Sequence, residues 1–218
     1  MLKKIFIMIW FGPLPEWTDQ WIANMERLKP LGYDYLMFTN LEMFKARVRD
    51  KLDLEPNILP QTGKPWDYRA MLGVLFEEEI KGYDFFGHTD FDCVYGNVDK
   101  WVTDEFLDGL DVHSNHNEYI CGPWTLYRNI KEVRELYMKT PSWRPILMDQ
   151  RSTGWVEMEY SRLLENSGLR YKYTLWQNKD FNIDKNIRWD NGLYDGDEEI
   201  MMFHFKRTKR YPLERYEI

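Results

Sequence analysis

Apolar positions in this chain fall into short runs separated by amphipathic stretches. The run over residues 4–11 is continuous, as in a strand covered on both faces, and Pro13 and Pro15 end it. Beyond Pro15, Trp17, Trp21, Met25 and Leu28 recur at helical spacing until Lys29-Pro30-Leu31-Gly32 stops the pattern. Residues 33–39 read as a second strand and 41–51 as a helix. Residues 66–81 read as a helix with Leu72, Leu75 and Phe76 on its core stripe and Gly82 as C-cap. Residues 83–88 read as a third short strand. This order predicts a parallel, doubly wound sheet, in which ligands sit beyond the carboxyl ends of the strands.

The second half is less regular. Residues 104–110 and 129–138 read as helices, 119–127 as a strand broken at Gly122-Pro123, and 140–156 as a long ordered loop rich in Pro, Gly and Trp. A helix over 157–167 follows. Residues 187–194 and 200–206 then read as a strand pair around the turn Asp195-Gly196-Asp197. No repeat or linker interrupts the chain, so residues 1–218 are expected to form one α/β domain: a Rossmann-like, mostly parallel sheet flanked by helices, with a smaller antiparallel C-terminal portion. At 218 residues roughly 70% of the unfolded surface is buried on folding, so neither disulfides nor metal are needed to hold a core.

Charge and composition narrow the chemistry. A net charge of -7 is the wrong sign for gripping polyphosphate along the whole surface, so nucleic acid is an unlikely partner. The two cysteines, Cys93 and Cys121, form no disulfide framework, and the expected setting is reducing and cytoplasmic. Met1 to Phe11 imitates a secretory leader, with two lysines before an apolar run. It breaks at Gly12-Pro13-Leu14-Pro15 without a small-residue cleavage site and is too short to span a bilayer, so no transmembrane segment is expected. The aromatic content of 17% in a polar chain suits a sugar-binding cleft, and equally suits a ring-filled core.

The most informative segment is Phe86-Gly87-His88-Thr89-Asp90-Phe91-Asp92-Cys93-Val94-Tyr95-Gly96. It sets two carboxylates one residue apart where an apolar strand ends. In extended backbone Asp90 and Asp92 share one side while Phe91 points into the core. Hard anionic oxygens on one face suit Mg²⁺ or Mn²⁺, and an ion there would bridge a diphosphate and stabilise a departing phosphate. D-x-D also occurs by chance in surface turns. Here, however, apolar sequence flanks the pair on both sides, where paired acids need a reason. Upstream, Asp67 and Arg69 in Lys64-Pro65-Trp66-Asp67-Tyr68-Arg69 are placed to reach the same strand end, with a capping Asp and a solvated Arg as the plain alternative. Near the C-terminus His204 lies in an apolar strand followed by Lys206-Arg207-Thr208-Lys209-Arg210. Imidazole can complete a metal shell and the cations can hold a diphosphate, although the same residues also fit a structural His and a solvated tail. His113 and His116 read as parts of a polar loop without further ligands nearby. No dinucleotide-binding, Walker, zincin or serine-hydrolase motif is present.

Several of these segments resemble bacterial and viral glycosyltransferases of the GT-A fold, of the capsular-polysaccharide and lipooligosaccharide type. Ile9-Trp10-Phe11-Gly12 is similar to the opening of the capsular-polysaccharide and mannosyltransferase-like members, and the stretch from Lys64 through Asp90-Phe91-Asp92 to Val98 is similar to the central block of a bacterial GT-A-like family. Further matches are Leu126-Tyr127-Arg128-Asn129, Trp155-Val156-Glu157 and Phe203-His204-Phe205. The resemblance implies a nucleotide-binding half over residues 1–100 and an acceptor-side half over 101–218. It implies that Asp90 contacts the donor ribose and the metal, that Asp92 ligates Mn²⁺ or Mg²⁺, and that His204 completes the site. Arg207 or Lys209 would lie on the diphosphate, Asn40 by the base, and Asp67 and Arg69 by the donor sugar. Glu157 would be the acceptor-side residue, and the 140–156 loop with Trp143 and Trp155 an acceptor or lid surface. The chain departs from the family in having Arg69 where Lys is frequent and Val156-Glu157 where an acidic pair is frequent.

The expected activity is a metal-dependent transfer of a sugar from a nucleotide-sugar donor, a UDP- or GDP-sugar, to a glycan or other acceptor hydroxyl in surface-glycan synthesis. Two rivals stand beside it. A nucleotidyltransferase would use the same D-x-D element but needs an upstream Gly-Ser pair that residues 70–82 lack. The other is a sugar-binding domain of the same fold without turnover.

Overall fold

The computed structural model describes residues 1–176 and 187–205. Its central sheet contains β1 (Lys4–Ile9), β2 (Tyr33–Phe38), β3 (Phe85–Thr89), and further along the chain β5 (Val112–Ser114), β6 (Trp124–Arg128) and β7 (Tyr171–Tyr173). Between β3 and β5 lies the short strand β4 (Cys93–Tyr95), which belongs to a separate pair. The order across the sheet is β2-β1-β3-β6-β5-β7. β1 runs parallel to both β2 and β3, β6 is antiparallel to β3 and β5, and β7 is parallel to β5, so one strand of six is reversed. The C-terminal part adds β8 (Ile187–Trp189), β9 (Leu193–Asp195) and β10 (Glu198–Ile200) as an antiparallel meander, and β11 (Met202–His204), which pairs with β4. This is the expected mostly parallel α/β sheet with a small antiparallel portion. Among the described residues no helix is long and apolar enough to cross a membrane.

The unbroken apolar run of β1 has the cause its pattern implied. Ile5, Ile7 and Ile9 point into one core and Phe6 and Met8 into another on the opposite face. Helix α1 (Thr18–Leu28) buries Trp21, Met25 and Leu28 in the second core, and helix α2 (Leu41–Leu52) buries Phe44, Val48 and Leu52 in the first. Helices thus cover both faces. β3 divides its side chains the same way, with Phe86 on the α2 side and Phe85 on the α1 side.

Several elements differ from the sequence reading. The expected helix over 66–81 is a 3-10 segment, Lys64–Met71, followed by one α-turn, Leu72–Leu75, although Leu72, Leu75 and Phe76 are buried as expected. Within it Lys64 and Asp67 form a buried ion pair, and in the following turn Gly73 is closely packed, an added Cβ lying 2.5 Å from Phe86 Cζ and 2.6 Å from Arg134 Cγ. The 140–156 region is not a loop throughout: Trp143–Met148 is helical, because Trp143 and Leu147 are drawn into the core. Residues 157–167 open with a π-turn, Val156–Tyr160, before Ser161–Glu165. The polar reading of 111–117 missed β5, whose His113 and Ser114 are fully buried and hydrogen-bonded.

Gly87 sits at the crossing of β3 with β1 and β6. A Cβ there would overlap the Thr125 backbone carbonyl and lie 3.1 Å from Leu126 Cδ2 and 3.2 Å from Phe6 Cε1. Because the nearest obstacle is backbone, Gly87→Ala is expected to destabilise the fold by about 1–3 kcal/mol. This would be read as a lower urea midpoint at unchanged m-value.

Candidate active site

β1, β2 and β3 place a crevice where the strand order reverses, with β2 on one side of β1 and β3 on the other. At the carboxyl ends of β1 and β3 a small surface depression is lined by Ile7, Ile9, Thr89, Pro65, Trp66 and Arg69, among others. Trp66 is 49% exposed there and lies 5.8 Å beneath the Arg69 guanidinium.

The acidic doublet begins where β3 ends. Residues 91 and 92 form a tight turn, so the two carboxylates are not displayed side by side from an extended strand, as alternation predicted. Phe91 anchors the turn: its ring is buried against Trp10 and Trp21, and its carbonyl accepts from Trp17 Nε1 at 2.9 Å. With Phe91 pinned, Asp90 and Asp92 turn to different partners. Asp90 forms an ion pair with Arg69, both side chains partly buried. The passage between them is kept open by Gly122, where an added Cβ would collide with Arg69 and lie 2.8 Å from Asp90 Oδ2.

Asp92 is 7% exposed and faces His204, whose Nε2 lies 3.4 Å from Asp92 Oδ1. The β4–β11 ladder brings these groups together. His204 stands directly opposite Cys93, and the Phe205 N–H donates to the Asp92 carbonyl at 2.9 Å. Apolar packing of Phe203 and Phe205 with Val94 and Leu193 holds β11 in this register. Asp92, Cys93 and His204 each offer a donor atom, all within 4.8 Å of one another. One carboxylate, one imidazole and one thiol in a buried corner make a chemically fitting nest for a divalent cation. Burial, with the Asp92 and Asp90 carboxylates next in importance, pushes the Cys93 thiol well above its ordinary pKa. Cys93 carried no role in the sequence reading. Only the long-range strand pairing puts its side chain on the same face as His204.

The remaining expected site residues are dispersed. Asn40 is exposed and caps α2, accepting from the Met43 N–H at 3.0 Å. Asp67 is 1% exposed, and its carboxylate accepts from Lys64 Nζ at 3.0 Å and from the Thr153 N–H at 3.2 Å. Its carbonyl accepts from Trp155 Nε1 at 2.9 Å. Asp67 thus ties the 149–155 segment to the 3-10 segment beside the cleft. Glu157 is exposed on the π-turn and near enough to Tyr119 to help raise its pKa, after burial. Arg207 and Lys209 lie outside the described residues. Trp143 and Trp155 do not form a lid or acceptor surface: both are buried, for their rings complete the core under Tyr137 and Tyr160.

Two further histidines behave as core residues. His88 Nε2–H donates to the Cys121 carbonyl at 3.0 Å, and burial, then the Arg69 charge, drives its pKa well down. His113, bonded to Thr174 at 2.9 Å and ringed by Phe106 and Trp176, is driven down to about 3, chiefly by burial.

A family model described as "Family of unknown function (DUF6625)" matches residues 6–215. No curated protein matches the chain. Among solved structures, the fold is similar to that of a glycosyltransferase involved in the glycosylation of the major capsid of PBCV-1, at 15% identity and a TM-score of 0.47, over 93% of this chain and 94% of that one.

Removing the Asp67 carboxylate leaves the fully buried Lys64 ammonium without its counter-charge. Asp67→Ala is therefore expected to cost about 3–5 kcal/mol in chemical unfolding. An Asp67 acting only on a bound ligand would leave the unfolding midpoint unchanged. For His88 and His113, the unfolded state takes up protons from about pH 6.5 downward while the native state does not. Stability should therefore fall as pH drops below that value, by at most about 1.4 kcal/mol per pH unit for each ring. His113→Gln should flatten that slope by about half between roughly pH 6 and 5 in urea titrations.

Proposed function

This chain belongs to the DUF6625 family, a membership that assigns no chemistry, and we propose that it is a metal-dependent glycosyltransferase moving a sugar from a nucleoside-diphosphate sugar, UDP- or GDP-linked, to an acceptor hydroxyl in surface-glycan synthesis. The observation that carries this reading is the convergence of Asp92 and His204 at 3.4 Å, just beyond the carboxyl end of β3. These two side chains are separated by much of the sequence, and their meeting just beyond the end of β3 supports the reading, because α/β sheets take ligands beyond the carboxyl ends of their strands.

In this reading Asp92 and His204 hold a divalent cation, Mn²⁺ or Mg²⁺ in the oxygen-rich form of the site, with Asp90 reaching it once Arg69 is drawn away. When bound, the cation supplies Lewis-acid stabilisation of the departing diphosphate. Arg69 is the protein's own contribution at the same place. Its guanidinium is fixed between Trp66 and Asp90 at the cleft wall, suited to pair bidentately with phosphate oxygens. The exposed Trp66 ring offers a flat apolar surface for the sugar or base. Arg207 and Lys209 are proposed to add positive charge along the diphosphate, Asn40 to border the base, Asp67 to hold the donor-side segment, and Glu157 to face the acceptor. A cleft that orders donor and acceptor supplies much of the remaining acceleration through positioning.

Purified protein incubated with a panel of UDP- and GDP-sugars and Mn²⁺ is expected to release nucleoside diphosphate, by transfer or by slow hydrolysis. Asp92→Asn is expected to reduce that rate by at least about 100-fold, the scale on which losing one group that stabilises transition-state charge acts. Sugar binding that is indifferent to metal and unaccompanied by nucleotide release would instead identify a binding domain. Release of pyrophosphate from a nucleoside triphosphate would identify a nucleotidyltransferase.

A further inference from the structure

The donor atoms brought together at the end of β3 are not the all-oxygen set that Mg²⁺ prefers. We propose that Cys93 is a third ligand of this site, and that the ion it selects is a thiophilic divalent cation, Zn²⁺ before Mn²⁺ and far before Mg²⁺. The proposal deepens the functional reading, since it rests on the site binding a cation at all, and it changes the ligand set and the class of ion.

Three observations carry it. First, Cys93 and His204 are directly opposed in the antiparallel β4–β11 pair, so their side chains leave the ladder on the same face. Second, one donor atom from each of Asp92, Cys93 and His204 lies within 4.8 Å of the other two. Third, the Asp92 Oδ1 to His204 Nε2 separation of 3.4 Å matches that of ligands on one tetrahedral zinc. Ligand bonds near 2.0–2.2 Å at tetrahedral angles put oxygen and nitrogen about 3.3–3.5 Å apart. The same geometry asks for about 3.6 Å from sulfur to nitrogen, so with the donor atoms within 4.8 Å the thiol must move inward by about 1.2 Å at most. Magnesium, by contrast, demands near-octahedral oxygen coordination and keeps several waters, which a corner of three buried residues, Asp92, Cys93 and His204, does not offer.

Three protein ligands leave a fourth position for water or a donor oxygen, the pattern of catalytic zinc sites. Binding forms the sulfur–metal bond as the sulfur–hydrogen bond breaks, and the proton passes to solvent.

Cobalt(II) titration of the metal-stripped protein tests this without reference to turnover, because a cobalt–thiolate bond gives a near-ultraviolet charge-transfer band that oxygen and nitrogen ligands do not. The chain has two cysteines, so Cys121→Ser leaves Cys93 as the sole thiol. The band is expected in the wild type and in Cys121→Ser, and Zn²⁺ is expected to bleach it. Cys93→Ser should abolish it and weaken Zn²⁺ binding by more than the roughly 10–100-fold that losing an outer-shell partner costs. Cobalt bound without the band, or a band lost in Cys121→Ser, overturns Cys93 ligation and leaves the Asp92–His204 cation site standing. Failure to retain Co²⁺, Zn²⁺ or Mn²⁺ overturns both readings. Because the Cys121→Ser spectrum carries the test by itself, it remains decisive even if Cys93→Ser does not fold.

Discussion

Two carboxylates one residue apart at the inner end of a covered strand must find favourable partners, because an uncompensated charge away from water costs several kcal/mol. That constraint organises the region around β3. Asp90 is met by Arg69 from the 3-10 segment ahead of the strand, and Asp92 by His204 from the C-terminal strand. Each partner brings its own element with it, and the β4–β11 ladder with the packing of Phe203 and Phe205 holds His204 in place. Phe91 makes the division sharp. Its buried ring fixes the turn, and with the turn fixed the neighbouring carboxylates diverge.

The framework of the first half was legible because local pattern and final environment agree there. The continuous run of β1 is apolar because both faces are covered, and the Trp17, Trp21, Met25, Leu28 spacing marks the buried stripe of α1. Reading failed where tertiary contacts override local preference. Residues 66–81 read as one helix, yet Lys64–Met71 is a 3-10 segment and only Leu72–Leu75 an α-turn, with Lys64 and Asp67 paired inside the core. β5 was invisible because its His113, Ser114 and Asn115 are polar yet buried, their hydrogen-bond partners lying on β6 and just beyond β7. In the site, the sequence marked Asp90, Asp92 and His204 as chemically notable. It held no signal that Arg69 would take Asp90 or that Cys93 would stand opposite His204, since both depend on pairings between residues far apart in the chain.

The aromatic surplus finds its use mainly in packing. Trp21, Trp124 and Trp155 are each at most 2% exposed, and edge-to-face contacts such as Phe6 on Trp124 and Trp21 on Phe91 build the core on the α1 side of the sheet. Short strands and short helical turns leave many irregular gaps, and large rigid rings fill them at little cost in side-chain entropy. Trp66, 49% exposed beside the depression at the ends of β1 and β3, is an exception to this packing role.

The pairing of β4 with β11 also has a consequence in time. A ribosome delivers the acidic turn long before it delivers the imidazole, and the β1-β2-β3 sheet can close while the emerging chain still lacks the strand that carries it. Chains that stop short of β11 would therefore contain the scaffold without the assembled corner.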